Sequence, residues 1–484
     1  MIVKIKTTSL PGLTGQSISP SIPGWIARSS RAMTVVIKPF FIFLLISIGC
    51  IVAAPIKGQI VRDPVNPTRM IYYDTFISVL GKQIPKPCLF AGPGDPEVFF
   101  YEDTEGNLKL LKDKEARCTY ITAYLKDKPG GAPGTGTDLD ITLDKWELLM
   151  TELEEAGIIT VFFLFDDMQN LPTEWKTFVD KTVAKFKHHK LWIWAIAEEY
   201  GEAMSPDEVL LVAARIREKD DRNHIIGIHH DLPNLLTFND DEVIDMYLLR
   251  ADDGPTRNEM YKAWKSSNGK KIINMSESAP EGIKQGIYDR ATIRKWNWSS
   301  VMGGASAIQV LEMGATKFPA EQNETARFTD CSILMDWFEK TTVNAMEPND
   351  DIAGSGTLWV MADERKSYIA YTDNAGSGMA IKGLVNGPHQ AYWIDILSGK
   401  EDTVPVDVTS ETQSFSIPSG YGKEVAVWII KGEKPLMLWN VSQQPQNLHI
   451  GERSLSRFYS LSGRRIHKKP VEWSIYFSVN APIP

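Results

Sequence analysis

The sequence predicts an α/β chain: a (β/α)8 TIM barrel followed by a small antiparallel β-sandwich. Strand-like and helix-like segments alternate from Cys88 to about Thr342, the order expected of a parallel sheet covered by helices. The strand-like segments end, one after another, in polar or charged residues. After about Glu347 the helical period gives way to short alternating strands separated by turn sequences. The implied domains are a leader over 1–54, a barrel over 68–345, a sandwich over 350–432 and a poorly defined tail over 433–484.

With 484 residues the chain is too long for one ordinary core. Hydrophobic content of 43% and charged content of 23% are those of a globular protein. A net charge of −9, with no Lys/Arg stripe to offset it, argues against nucleic acid or an anionic membrane as main partner. The 14 tryptophans suit sugar stacking as well as core packing.

Pro39 to Pro55 is an apolar run preceded by Arg28, Arg31 and Lys38 and closed by small residues. That is the order of a secretory signal, cut near Ala53 or Ala54. Met33 is the better start for it, and an uncleaved anchor is the competing reading. Removing the signal leaves Cys88, Cys118 and Cys331, an odd set without CxxC spacing. It is neither a disulfide framework nor a cysteine zinc site.

Eight apolar runs read as strands: Cys88–Gly92, Cys118–Leu125, Ile159–Asp167, Leu191–Tyr200, His224–Asp231, Val243–Asp252, Lys271–Ser278 and Ala305–Met313. Helical spacing marks the segments around Trp146–Leu153 and Trp175–Phe186, and Val209–Ile216 behind the cap Ser205-Pro206-Asp207-Glu208. Pro255–Ser267, Asp289–Met302 and Phe328–Thr342 continue the alternation. Met70–Pro87 reads as a hairpin over the barrel bottom. A doubly wound sheet is the alternative, but the turn Ala91-Gly-Pro-Gly-Asp95 is no nucleotide loop, because Pro93 interrupts it. Beyond Glu347, strands are expected at Thr357–Ala362, Ser367–Thr372, Met379–Val385, Gln390–Ile396, Thr412–Ile417 and Glu424–Ile430.

The carboxyl ends of barrel strands form the active-site face of this fold. Asp166-Asp167 close the third strand, Glu198-Glu199-Tyr200 the fourth, His229-His230-Asp231 the fifth, Arg250 the sixth, Glu277 the seventh and Glu312 the eighth; Asp95 follows the first. Glycoside cleavage needs two carboxyl groups flanking one bond, one protonated and one ionised. Glu199 and Glu277 would face each other across the mouth as catalytic pair. Glu198, Asp166, Asp167, His229, His230, Asp95, Tyr200 and Arg250 are candidates for holding substrate.

Structural readings stand beside these. Glu199 could cap its strand through an ion pair, and Asp166-Asp167 could cap the next helix. Adjacent residues on a strand diverge, so one glutamate of the doublet would enter the pocket, and His229-His230 would not share a metal. His188-His189 end a helix, where they suit its dipole. Trp296 and Trp298 fit a core better than a sugar platform. No G-x-S-x-G elbow supports a serine hydrolase, and no metal or organic cofactor is implied.

Trp194-Ala-Ile-Ala-Glu-Glu199 resembles the fourth-strand motif W-x-x-x-N-E of clan A glycosidases, in which the last Glu is the acid/base. Ile273-Asn-Met-Ser-Glu277 resembles the seventh-strand motif ending in the nucleophile. Barrel plus sandwich resembles the apiosidase-like glycoside hydrolases with a C-terminal collagen-binding-type domain, whose signature Gln390-Ala-Tyr-Trp-Ile-Asp-Ile-Leu-Ser-Gly399 is similar. The resemblance spans roughly 68–432 and implies a secreted or periplasmic retaining hydrolase of a polysaccharide or oligosaccharide. Glu198 departs from the family's Asn. That departure supports a second expectation, a non-catalytic carbohydrate- or protein-binding barrel.

Overall fold

The structure is a computed structural model. It describes residues 2–4, 58–79, 82–94, 104–114, 116–122, 139–166, 170–202, 204–231, 237–251, 254, 256–278, 288–312, 322–432 and 474–476. The leader run 39–55 and most of 433–484 lie outside them. Among the described residues no helix is long and apolar enough to cross a membrane. Ile2–Lys4 pairs antiparallel with Ser474–Tyr476 in a unit separate from 53–438.

Eight parallel strands form the barrel sheet: β1 (Phe90–Gly94), β2 (Cys118–Thr122), β3 (Ile159–Phe165), β4 (Trp192–Ala197), β5 (Ile225–Asp231), β6 (Met246–Ala251), β7 (Ile272–Ser278) and β8 (Ala307–Glu312). Their neighbours run in sequence order from β2 to β8, and β8 returns to β1. At the β1–β2 seam the Arg117 N–H donates to the Ala91 carbonyl at 3.2 Å. Gly92 allows that approach, since a Cβ there would overlap the Cys118 carbonyl. The eight strand-like runs read from the sequence therefore make a TIM barrel.

Helices follow the strands: α1 (Thr104–Asp113), α2 (Leu139–Glu155), α3 (Trp175–Phe186), α4 (Pro206–Lys219), α5 (Arg257–Ser266), α6 (Arg290–Met302) and α7 (Gln322–Phe338). Between β5 and β6 the described residues 237–245 form turns instead. Local chemistry sets the helix starts. Ser205 with Glu208, and Thr256 with Glu259, form capping boxes at α4 and α5. Val209, Val212, Ala213 and Ile216 make the buried stripe of α4.

The strands carry two cores by strict alternation. Phe90, Cys118, Tyr120, Ile159, Val161, Phe163, Ile193, Ala195, Met246 and Leu248 fill the lumen. Phe162, Trp192, Trp194, Ile226, Tyr247 and Ile273 face the helices. Three antiparallel strands, Ile60–Arg62, Met70–Val79 and Lys82–Pro87, close the amino-terminal end. There the Ile60 N–H donates to the Lys190 carbonyl at 3.1 Å, and the buried Arg69 donates to the Ala305 carbonyl at 2.9 Å.

After the barrel come β9 (Glu347–Pro348), β10 (Trp359–Asp363), β11 (Ser367–Thr372), β12 (Met379–Lys382), β13 (Gly387–Asp395), β14 (Glu401–Val408), β15 (Thr412–Phe415) and β16 (Val425–Lys431). Six form an antiparallel sheet ordered β9-β10-β11-β16-β13-β14, and β12 pairs with β15 as a two-stranded ribbon. Val360, Ile381, Trp393, Phe415 and Val427 share the core of this module. Sequence reading missed β14. It is an edge strand with most residues part-exposed or exposed, and Pro405 stands inside its alternating valines Val404, Val406 and Val408, which demotes the segment in a sequence reading.

The other face of the six-stranded sheet packs on the barrel helices. Trp298 of α6 stacks on Tyr371 of β11 with centroids 5.6 Å apart. Arg294 clasps Glu424 with two bonds of 2.9 and 2.6 Å and also reaches Asp330 at 3.3 Å. Trp298 belongs to the core, and Trp296 packs edge-on against Tyr288 at 4.6 Å. Replacing Trp298 with Ala is expected to lower the unfolding free energy by about 3–5 kcal/mol. Urea titration would read the loss as a lower midpoint at unchanged slope. Barrel and sheet module should still unfold in one transition, because they share this core.

Candidate active site

Strand alternation aims one set of side chains at the carboxyl end of the lumen. Tyr120 and Thr122 (β2), Phe163 (β3), Glu198 (just past β4), His229 (β5) and Ser276 and Glu277 (β7) line a small pocket there. Its floor is fixed by Asn274, whose amide donates to the Tyr120 hydroxyl at 3.1 Å. The Tyr120 ring meets Phe163 edge-on at 6.2 Å.

Strict alternation from Asn274 would place Ser276 inward and Glu277 outward. The register against β6 slips at this point: Leu249 opposes Met275, and Arg250 opposes Glu277. Ser276 is the extra residue, and its hydroxyl donates to the Leu249 carbonyl at 3.0 Å. This bulge turns Glu277 into the mouth beside Ser276, as bulges re-aim side chains near barrel rims.

The glutamate doublet departs from the extended geometry expected of it. β4 ends at Ala197, and the Glu198 N–H still donates to the Phe165 carbonyl at 3.2 Å. Glu199 then takes φ +37°, one of four positive-φ non-glycine residues among the described ones. Such a conformation costs on the order of 1–3 kcal/mol and marks over-determined sites. Its N–H donates to Nδ1 of His229 at 3.1 Å. The rule that neighbours diverge on a strand fails here because the strand has already ended: Glu198 lines the cavity, and the Glu199 carboxylate also reaches the site.

Glu199, His229 and Glu277 present donor atoms that all lie within 4.8 Å of one another. Arg250 binds this group from β6. Its guanidinium pairs with the Glu199 carboxylate, and its Nε stands 3.6 Å from Oε2 of Glu277. Two carboxylates this close would repel by roughly 3 kcal/mol at an effective dielectric near 20. Arg250 offsets that repulsion.

His229 is fully buried, and its ring meets Phe163 edge-on at 6.0 Å. Burial first, and the neighbouring His230 second, depress its pKa from 6.5 to about 3. The ring is therefore neutral near pH 7. Because Nδ1 accepts from Glu199, its proton sits on Nε2, 3.8 Å from Glu277 Oε2.

Other residues singled out in the sequence lie elsewhere. The His230 ring packs against Tyr200 at 5.3 Å, and Tyr200 is buried against Phe238 with its hydroxyl 3.3 Å from Thr237. Asp166 is buried at the end of β3 and is not among the cavity-lining residues. Asp95 and Asp167 lie outside the described residues. Tyr120, Thr122, Phe163, Asn274 and Ser276 were not singled out from sequence. Period-two counting along β2 and β3 would have aimed Tyr120, Thr122 and Phe163 inward.

No family model matches the chain, and no curated protein does. Solved structures do resemble it. A glycoside hydrolase family 5 protein from Bacteroides vulgatus ATCC 8482 superposes with TM-score 0.57 at 15% identity, covering 78% of this chain and 94% of that one. Another structure described as a glycoside hydrolase gives 0.59 at 13% identity, over 78% and 97%. At such identities the shared property is the fold.

The His229 shift fixes the sign of a pH effect. The unfolded chain takes up a proton near pH 6.5 and the folded chain does not, so stability falls as pH drops from 6.5 towards 3. Melting temperature should decline across that window, and His229→Gln should make the decline shallower between about pH 6.5 and 4. An unchanged slope in the variant would contradict a neutral, buried His229.

Proposed function

We propose that the chain is a retaining glycoside hydrolase of a polysaccharide or oligosaccharide, with Glu277 as nucleophile and Glu199 as acid/base. The observation that carries this is the approach of the Glu199 and Glu277 oxygens to within 4.8 Å across the barrel mouth. Retaining enzymes hold their two carboxyl groups about 5–5.5 Å apart, too close for an intervening water. The family 5 likeness in fold and the motifs ending in Glu199 and Glu277 support the same reading. They favour a carbohydrate as the partner.

In the first step Glu277 attacks the anomeric carbon, the glycosidic C–O bond breaks, and Glu199 gives its proton to the leaving oxygen. In the second, Glu199 takes a proton from water, which displaces Glu277 from the sugar. Arg250 keeps Glu277 ionised for attack. A sugar entering between the carboxyls would part Glu199 from Arg250, and the carboxylate, losing its cation as the mouth desolvates, would take its proton from the departing water. His229 Nε2–H and Glu198 face the cavity as substrate contacts. Glu198 stands where clan A enzymes have an Asn and would accept from a sugar hydroxyl.

One observation favours a second assignment at the same site. Glu198 shares the cavity with Glu277 and Phe163, while Glu199 pairs with Arg250. In that version Glu198 is the acid and Glu199 anchors the arginine. The resemblance of Gln390–Gly399 supports an apiosidase-like enzyme with a collagen-binding-type accessory module. The run Pro39–Pro55 supports secretion.

A panel of plant and algal polysaccharides tests the proposal. Release of reducing sugar should fall by about 10²–10⁴ in Glu277→Gln and in the Gln variant of the true acid/base. On nitrophenyl glycosides, azide should restore turnover to the Ala variant of that acid/base alone, which separates Glu199 from Glu198. Binding of the sugars without release, unaltered in Glu277→Gln, would overturn the enzyme in favour of a binding protein.

A further inference from the structure

At the opposite end of the barrel, four side chains from α2 and the α3–β4 connection converge: Glu147, Glu154, His188 and His189. The Nε2 of His188 lies 3.0 Å from Oε1 of Glu147, and the Nε2 of His189 lies 3.4 Å from Oε2 of the same carboxylate. All three residues hold ligand-type atoms within 4.8 Å of one another. His189 is 4% exposed, and both its Nε2 and Glu147 Oε2 are buried without a hydrogen bond.

The other ring nitrogens explain why. Nδ1 of His188 stands 3.0 Å from the Lys185 carbonyl, and Nδ1 of His189 stands 3.0 Å from Oε2 of Glu154. A carbonyl and a carboxylate only accept, so each Nδ1 must carry the proton. In a neutral ring each Nε2 is then a lone pair, aimed at carboxylate oxygens that are also acceptors. Acceptor facing acceptor is relieved either by a second proton on the ring or by a metal cation held between ring and carboxylate. Glu154 is itself fixed by the Lys190 N–H at 2.8 Å, and the His189 ring is clamped by stacking on Trp192 at 5.4 Å.

We propose that Glu147, His188 and His189 bind a divalent transition cation of the zinc class, with Glu154 and the Lys185 carbonyl orienting the two imidazoles. The donor types suit such an ion. Tetrahedral bonds of 2.0–2.1 Å imply donor separations of about 3.3–3.4 Å; the two histidine nitrogens stand 3.0 and 3.4 Å from different oxygens of Glu147, so binding through one of these oxygens asks for a small adjustment of the carboxylate. The carboxylate–histidine arrangement of Glu154 and His189 is the usual second layer of such a centre. His188 is about half exposed, so the site opens to solvent, and its distance from the barrel mouth gives it a structural rather than a reacting role. The proposal is independent of the glycosidase reading.

Calorimetric titration of the chelator-stripped full chain with Zn²⁺ tests it. One equivalent should bind and raise the melting temperature, while Mg²⁺ should not compete. His188→Ala, at an exposed position, and Glu147→Gln should each weaken zinc binding at least about tenfold, and Glu154→Gln by about 10–100-fold. Glu277→Gln, which alters only the cluster at the mouth, should bind normally. Absence of zinc binding would overturn the site. So would binding unchanged in both His188→Ala and Glu147→Gln, or binding lost only in Glu277→Gln.

Discussion

The contact of Arg250 with two carboxylates is what the carboxyl end of the barrel depends on. Glu199 and Glu277 arrive from strands on different sides of the mouth, and their oxygens come within 4.8 Å of each other. Left alone they would repel each other. A single guanidinium from β6, about a quarter exposed, reaches both. The rest of the site is arranged around that pairing. The bulge at Ser276 turns Glu277 towards Arg250, and the left-handed turn at Glu199 does the same from β4. Neutral His229 sits beneath, taking the Glu199 N–H on one nitrogen and presenting an N–H to Glu277 with the other.

Much of the barrel was legible because it follows from periodicity. Runs buried on both faces, such as Trp192–Ala197 and Ile272–Met275, are continuous apolar segments, and polar residues gather where those runs stop. The fine placement was not legible. Alternation alone would turn Glu277 away from the mouth, and only a pairing partner reveals that Ser276 is an inserted residue. Likewise, the divergence expected of Glu198 and Glu199 assumes extended backbone, whereas the chain has already turned. Edge strand β14 is hidden because Pro405 interrupts its alternating valines. For both glutamates the deciding fact is a contact between segments distant in sequence.

The opposite end follows the same logic with other groups. His188 and His189 look like residues that end a helix and favour its dipole. Only the fold brings Glu147 and Glu154 of α2 against them and shows which ring nitrogens are occupied. Both ends thus use a carboxylate–imidazole arrangement. At the mouth a guanidinium balances the charge, and at the base the proposed cation would do so. The module built on β9–β16 stabilises the barrel from a third side, through Trp298, Arg294 and the sheet they meet.

The central claim is that Glu277 forms a covalent bond to sugar. Incubating the protein with a panel of 2-deoxy-2-fluoro glycosyl fluorides and sequencing its peptides by mass spectrometry addresses it directly. A glycosyl adduct on Glu277, absent when Arg250 is replaced by Met, is the predicted result. An adduct on Glu198 or Glu199 in place of Glu277, or hydrolysis of the same fluorides with inversion and no adduct, would contradict the account.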